Sequence, residues 1–502
     1  MKPSFVLRCS NMSNLAAFLA SNQLMLRPTR HQTGPFVSTT TCRFQNRSIS
    51  VKHVRFATPT VAAAPLTETH SMSDIEKAAQ EKGVKAPLVV LKKGKARLFK
   101  EGQPIVYQGA IDRVVGRPAP VAGDCVMVSD GAQSVFAWGV INPESSVFRV
   151  RLMQFEEEAR RSPGCCLDVD ALIMERLRAA CGLRKAIGLP SDQTDVYRLC
   201  NSEGDGLSGL IVDVLGDIAV VASSAVWVER HRAAIMELVK SLTGVGCVVW
   251  RPNEAMLSLE GADGAAAALG EEREDAAGAA PAGADERAGA VRVRENGVAF
   301  LADAGGQKTG FYADQRDNRA AVAALCRGKR VLDLCCYSGG FAVSAAVHGA
   351  AAVTAVDSSA AALELAQQNA RLNGVEVEFA RSDVKDFMAT ARQEGRAWDV
   401  VVLDPPKLAP SKKALARAAN KYRGLNASAM ALVENGGLLL SCSCSGAMTQ
   451  SGKFVSILQS AALSSGRQAR ILRIAGCGMD HPQSPAYPEG NYLTAVLMQL
   501  TR

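Results

Sequence analysis

The 502-residue chain lacks several things, and each absence excludes a class of protein. No uninterrupted apolar run reaches the roughly 18 residues that a membrane-spanning helix needs, so no membrane partner is expected. Fourteen cysteines are present, but the doublets Cys165-Cys166 and Cys335-Cys336 lack the C-x-x-C chelating spacing, and no metal site is expected. A disulfide framework belongs to small secreted domains. This chain is long, and its only early apolar core, 15–20, is too short for a secretory signal. Most of the thiols therefore read as small buried hydrophobes. What is there is a core-forming composition, 48% hydrophobic and 21% charged, long enough for two to four domains.

Acidic residues are missing altogether from the first 67 positions, which carry eight Lys/Arg. With those eight set aside, 49 basic residues face 49 acidic ones, so the formal charge of +8 resides in the leader. Bulk charge is then no argument for nucleic-acid binding. A Ser/Thr-rich, Arg-bearing, acid-free leader has the composition of a disordered organelle transit peptide, with the chloroplast favoured over the mitochondrion by its Ser/Thr content. The rival reading is a basic arm that grips nucleic acid.

After the leader, 87–153 carries short β-type runs broken by Gly and Pro, which predicts a small β-barrel. Eight basic and two acidic residues fall between 85 and 117, the local footprint of a phosphate-binding surface or of an ordinary solvated face. Residues 165–300 mix helices with strands in an α+β unit. It is interrupted at 261–290 by an Ala/Gly/acidic stretch too poor in large apolar groups to fold. From 301 to 502 hydrophobic strands alternate with helices: "RVLDLCC", "AAVTAVD", "VEVEFARSD", "WDVVVLDPP" and "GGLLLSCSC". That alternation predicts an α/β domain with a doubly wound parallel sheet.

In such sheets ligands bind beyond the carboxyl ends of the strands. The first strand ends in Asp333 and a turn with Gly339-Gly340, where glycine lets a ligand approach the backbone. The spacing is not G-x-G-x-x-G. The second ends in Asp357, placed to accept ribose hydroxyls, the third in Asp383, placed to accept an exocyclic amine, and the fourth in the "DPPK" segment, Asp404 to Lys407. Singly, each acid is more often a helix cap. Four at successive strand ends point to a nucleotide-like cofactor.

This pattern resembles the class I S-adenosylmethionine methyltransferases. The segments "GQKTGFYADQRDNR", "DLCCYSGGFAVSA", "DPPKLAPSK", "SCSGAMT", "DHP" and "YPEGNYL", in that order, resemble one family in particular. It is the bacterial large-subunit ribosomal RNA (cytosine-C5) methyltransferase I family, and the likeness extends over nearly all of 87–502. It implies a PUA-like RNA-binding barrel, a Rossmann-like catalytic domain, S-adenosyl-L-methionine as cofactor and ribosomal RNA as partner, with a homodimer left open. It implies cofactor contacts from Gln307, Thr309, Asp333, Tyr337, Ser338, Gly339, Phe341, Asp357 and Asp383, and a catalytic role for Asp404. The chain departs from the family at Ser208, commonly Pro, and at Cys335-Cys336. Both departures are expected to lie clear of the chemistry. A second cysteine, Cys442, stands where the family has none.

Carbon-5 of cytosine cannot take a methyl group unaided. A thiolate on carbon-6 makes carbon-5 enamine-like, so the reaction needs a cysteine, an acid on the pyrimidine edge and a dry pocket. Cys442 and Cys444 are the candidates. On a strand they lie on one face about 6.6 Å apart, poor geometry for a disulfide. Two core thiols is the plain alternative. The family's nucleophile lies in its S-C-S-G segment, which matches 443–446 and implies Cys444, with Cys442 in the core. Lys407 stands where amino-group methyltransferases carry a base-stacking aromatic, which disfavours adenine-amine methylation. The remaining alternatives are an RNA methyltransferase acting on a guanine nitrogen without a covalent intermediate, and a catalytically lapsed RNA-binding protein.

Overall fold

A computed structural model of the chain describes residues 39–44, 47–52, 72–131, 134–145, 147–261, 290–303 and 311–502. Most of the leader, nearly all of the 261–290 insertion, Gln307 and Thr309 lie outside the described residues. The chain divides into two compact units, Met1–Thr69 and His70–Arg502. In the first, strands Thr39–Phe44 and Arg47–Lys52 pair antiparallel. These two strands fall within the 1–67 segment expected to be a disordered transit peptide.

In the second unit a six-stranded sheet covers the expected barrel. Its order is Ile105–Tyr107, Phe148–Phe155, Val135–Ile141, Asp124–Ser129, Leu88–Leu91 and Ile111–Val115. Val135–Ile141 is buried at every position because its two faces enter different apolar clusters, Phe136, Ala137 and Ile141 in one and Val135, Trp138 and Val140 in the other. A buried ion pair ties the barrel to the next layer: Arg151 Nη2 lies 2.6 Å from Glu260 Oε1, while Glu260 Oε2 accepts from the Val226 amide at 2.9 Å.

The central region is a four-stranded sheet, Cys247–Pro252, Ile218–Ser223, Leu210–Leu215 and Val196–Asn201, packed on helices Val169–Ala186 and Arg232–Thr243. A hairpin, Ala290–Glu295 and Val298–Asp303, follows the insertion. Val293, Val298 and Phe300 from it share one apolar cluster with Val196 and Val220 of the central sheet and with Phe311 and Val343 of the C-terminal domain. The hairpin is therefore the cement between the two.

The C-terminal domain holds seven strands: β1 (Arg330–Leu334), β2 (Ala352–Asp357), β3 (Glu378–Arg381), β4 (Trp398–Leu403), β5 (Val433–Ser443), β6 (Gln468–Ala475) and β7 (Thr494–Thr501). Their order is β3-β2-β1-β4-β5-β7-β6. The first five are parallel, as expected for a doubly wound fold, while β7 runs antiparallel to both its neighbours. The sheet is thus mixed rather than wholly parallel. Chain direction across it reverses between β1 and β4, which opens a crevice at their carboxyl ends. Helices Leu415–Ala431 and Phe454–Ser464 cover one face, and Gly340–Val347 with Ala360–Leu372 the other. No helix among the described residues is long and apolar enough to cross a membrane.

Candidate active site

Five loops leaving this sheet edge enclose a cavity of about 930 Å³. At the upper end of small-molecule sites, that volume has room for a nucleotide-sized cofactor and a second ring.

The first wall is the turn after β1. Cys335 (φ +64°), Tyr337 (φ +49°) and Gly339 (φ +77°) all sit in left-handed backbone. Non-glycine residues there cost about 1–3 kcal/mol each, a strain that clusters at ligand sites. A Cβ on Gly339 would come 3.1 Å from Ala366 Cβ, so the turn can press against the next helix only with glycine at this point. The Tyr337 amide donates to Asp357 Oδ2 at 3.0 Å, and the Tyr337 ring meets Tyr312 edge-on at 5.1 Å. Asp357, at the end of β2, also accepts from the Ser359 amide at 2.9 Å. Asp383 caps helix Val384–Gln393 by accepting from the Lys385 amide at 2.8 Å, and it lines the cavity as well.

The second wall is built from the ends of β4 and β5. Asp404 Oδ2 accepts from Gln315 Nε2 at 3.0 Å. Gln315 is itself fixed, because Asn318 Nδ2 donates to its Oε1 at 2.7 Å, and both amides are buried. With its oxygen engaged, Gln315 must present its NH2 to the carboxylate. Cys444 faces the cavity with its thiol 3.7 Å from the Pro405 carbonyl, one residue past Asp404.

The period-2 alternation of β5 sorts its last residues. Ser441 and Ser443 face helix Leu415–Ala431, where Ser441 Oγ donates to Asn426 Oδ1 at 2.6 Å and Ser443 Oγ to the Tyr422 hydroxyl at 2.9 Å. Tyr422 OH also lies 3.2 Å from Ser445 Oγ, which accepts from the Ala409 amide at 3.1 Å. Cys444 is thus pinned on both sides. Cys442 faces the opposite layer among Val331, Val402 and Leu440, fully buried. Burial, with Asp404 adding to it, pushes the Cys442 thiol well up. Burial likewise pushes Cys335 and Cys336 far above the usual thiol range, reinforced at Cys335 by Asp357 and Asp404.

Behind the wall lies a buried ion cluster. Arg316 binds Asp480 through both guanidinium nitrogens at 2.9 Å, and Asp480 also accepts from the Arg198 amide at 2.8 Å. Arg184 donates to the Asp480 carbonyl at 2.7 Å. The "DHP" segment therefore ties the central sheet to the segment that holds Gln315. Arg319, buried beside it, binds Glu295 of the hairpin through two nitrogens and donates to the Tyr312 carbonyl at 2.8 Å.

About four-fifths of the chain aligns with bacterial proteins that share a name. It is 36% identical over 424 residues to the ribosomal RNA large subunit methyltransferase I of Aeromonas salmonicida, covering 82% of this chain and 98% of that one. It is 34% identical over 409 residues to the same-named protein of Escherichia coli O127:H6, covering 81% and 97%. The chain belongs to the ribosomal RNA large subunit methyltransferase I family. Family models agree on its parts: an S-adenosylmethionine-dependent methyltransferase model matches residues 270–462 and a PUA-like domain model matches 89–155. A solved structure from Streptococcus mutans, provisionally named a SAM-dependent methyltransferase, superposes with a TM-score of 0.63. At 18% identity it covers 82% of this chain and 99% of that one, and it shows the fold alone.

As a member of this family the chain uses S-adenosylmethionine, and the site fits it. The glycine turn leaves backbone open to a ligand, and the carboxylates of Asp357, Asp383 and Asp404 in the cavity lining suit a cationic sulfonium. Among the residues assigned from sequence, Tyr337, Ser338, Phe341, Asp357, Asp383, Asp404 and Cys444 all line the one cavity. Asp333 does not. It precedes the strand end, so its carboxylate is buried beneath the turn and accepts from the Ala342 amide at 3.0 Å. Gly339 shapes the turn from behind. Cys335 and Cys336, expected to lie clear of the chemistry, line the wall because β1 ends at Leu334 and the turn wraps the cavity from 335 onward. Ser208 does lie elsewhere, bonded to Arg151 and Glu203. Sequence reasoning missed Gln315, Asn318, Tyr312 and Tyr422. Only the i, i+3 spacing of Gln315 and Asn318 within the quoted "DQRDNR" could have flagged a linked pair.

Proposed function

We propose that this chain methylates carbon-5 of a cytosine in large-subunit ribosomal RNA through a covalent bond between Cys444 and carbon-6. The observation that carries the reading is the placement of a pinned thiol, 3.7 Å from the Pro405 carbonyl, in the same cavity wall as the clamped Asp404. Three other thiols near the sheet edge compete poorly: burial holds Cys335, Cys336 and Cys442 in the protonated form, while only the thiolate is a useful nucleophile. The names of the relatives support ribosomal RNA as the substrate.

In this reading a splayed-out cytosine enters the cavity, since a paired base cannot reach it. Asp404 accepts a hydrogen bond from the exocyclic N4 amine of the ring. Cys444 loses its proton and its sulfur bonds to carbon-6, which moves the C5–C6 π electrons toward carbon-5. S-adenosylmethionine, when bound, supplies the electrophilic methyl group that carbon-5 takes. Removal of the carbon-5 proton then restores the double bond and expels the Cys444 thiolate. Lys407, exposed at the cavity rim, is placed to meet phosphate rather than to stack on a base.

RNA carrying 5-fluorocytosine tests the chemistry, because fluorine cannot leave as a proton and the adduct persists. A crosslinked species lost in Cys444→Ala is expected. Methylation of unmodified RNA without any crosslink would instead assign the chemistry to a guanine nitrogen. The acid-free leader supports delivery to an organelle, the chloroplast first. A fluorescent protein fused behind residues 1–67 would report it, and a diffuse cytosolic signal would refute it.

A further inference from the structure

The segment that leaves Asp404 is an acid-free, basic stretch beside the cavity. Between 405 and 433 there are six basic residues and no Asp or Glu, in a chain that is formally neutral outside its leader. Lys407, Lys412, Lys413, Arg417, Lys421 and Arg423 are all exposed. Among the described residues none of the six forms an ion pair. The basic patch of the barrel is partly neutralised, since Arg97 pairs with Glu101, Lys100 with Asp130 and Arg113 with Asp112, and it lies on a separate domain.

The placement of these cations is specific. Lys412 and Lys413 lie in the 3-10 turn Lys412–Ala414, and helix Leu415–Ala431 follows directly. Arg417, Lys421 and Leu425 are spaced i, i+4, i+8, so they share one flank with steps of about 6 Å along the axis. Leu425 lines the cavity. Tyr422, on the buried side of the same helix, grips the serines that flank Cys444. The row of cations therefore runs along the flank that ends in the cavity wall, and Lys407 stands at the rim.

We propose that this flank is a phosphate track: it holds the backbone of the RNA strand next to the target nucleotide and guides that nucleotide into the cavity, independently of the PUA-like barrel. The proposal rests on the RNA reading above. It commits to an RNA backbone because unpaired cations spaced one helical turn apart suit a row of phosphates, and because the row ends where the base must enter.

The test uses the full chain and a fluorescein-labelled oligocytidylate RNA, with binding followed by anisotropy across a salt series. The variant Lys413→Gln/Arg417→Gln/Lys421→Gln keeps good helix formers at exposed positions, so S-adenosylmethionine affinity serves as the control for folding. Losing about three phosphate contacts should flatten the log–log salt slope by about 2 and weaken binding about tenfold or more near physiological salt. The corresponding triple Glu variant should bind more weakly still. If both variants bind oligocytidylate with the wild-type affinity and slope, the track is overturned while the RNA reading stands. If the wild-type chain binds no RNA at all, the RNA reading itself fails.

Discussion

Cys442 and Cys444 stand two residues apart at the end of one strand, yet they belong to different regions of the molecule. The first lies behind the cavity wall, where side chains interlock and nothing reaches solvent or substrate. The second lies in the wall, held by hydrogen bonds to its neighbours rather than by packing around its sulfur. The region behind supplies stability and the wall supplies chemistry. What divides them is the point where β5 leaves the sheet. Composition cannot mark that point, because the two residues are chemically the same.

The sharpest way to break this division is to truncate each thiol in turn. Cys444→Ala should lower methyl transfer by at least about a thousandfold, above 4 kcal/mol of transition-state stabilisation. Calorimetric binding of S-adenosylmethionine and the melting temperature should stay near wild type. Cys442→Ala should do the reverse, costing about 1 kcal/mol of stability through a small cavity while leaving turnover nearly intact. If Cys442→Ala is the inactive variant, the assignment of wall and interior is wrong.

Next in size is the ion cluster behind the wall. Asp480→Ala removes the bidentate partner of the buried Arg316 guanidinium and leaves it only the partly exposed Asp317, which should destabilise the fold by about 3 kcal/mol in urea titration. Burial alone would raise the Asp480 carboxyl, but the contacts from His481 and Arg316 outweigh it and hold the group well below the usual carboxylate range. Its stabilisation is therefore present above the ordinary carboxylate pKa and is lost as the pH falls through the lowered folded value. Wild type and variant should converge in stability at acid pH.

Asp333 gives the opposite sign. Burial pushes its carboxyl up to about 7 against the bond from the Ala342 amide, with Asp404 and Asp357 adding to the rise. Because the folded form holds the proton more tightly than the unfolded chain, ionising Asp333 costs stability as the pH rises from about 4 to about 7. The Asp333→Asn variant should gain on wild type across that window, by up to about 4 kcal/mol. A difference that is flat with pH would show that Asp333 is ionised throughout.

Much of this was legible beforehand, and the reasons are physical. Runs such as "WDVVVL" can only be strands buried on both faces, so the sheet and the acids at its carboxyl edge follow from periodicity. That Asp357, Asp383, Asp404 and Cys444 share one cavity follows from a doubly wound topology, which brings distant strand ends together. The antiparallel β7 was not legible, because "TAVLMQLT" carries no mark of strand direction. Asp333 was misplaced for a related reason: sequence locates a strand end to within a residue or two, and one residue decides between wall and floor. Gln315 escaped because an amide gives no chemical signal until its partner is known. The basic flank escaped for a different reason: the sequence does not show which side of a helix borders a cavity.

The smallest expected effect tests whether the wall needs its scaffold to act, rather than only to stand. Gln315 donates to Asp404, and Asn318 fixes which end of the amide does so. If the contact matters as a donor that orients the carboxylate toward the pyrimidine edge, Gln315→Met should lower the turnover rate about tenfold, worth about 1.4 kcal/mol, with S-adenosylmethionine affinity unchanged. Gln315→Glu is the decisive companion. It keeps the shape of the side chain, so it should be harmless if Gln315 merely fills space. As an acceptor it faces a second carboxylate and should fall further than Gln315→Met, because two like charges in one small volume cannot both be held in place. Turnover for Glu above that for Met would make Gln315 a packing residue, and the wall would then depend on β4 and β5 alone.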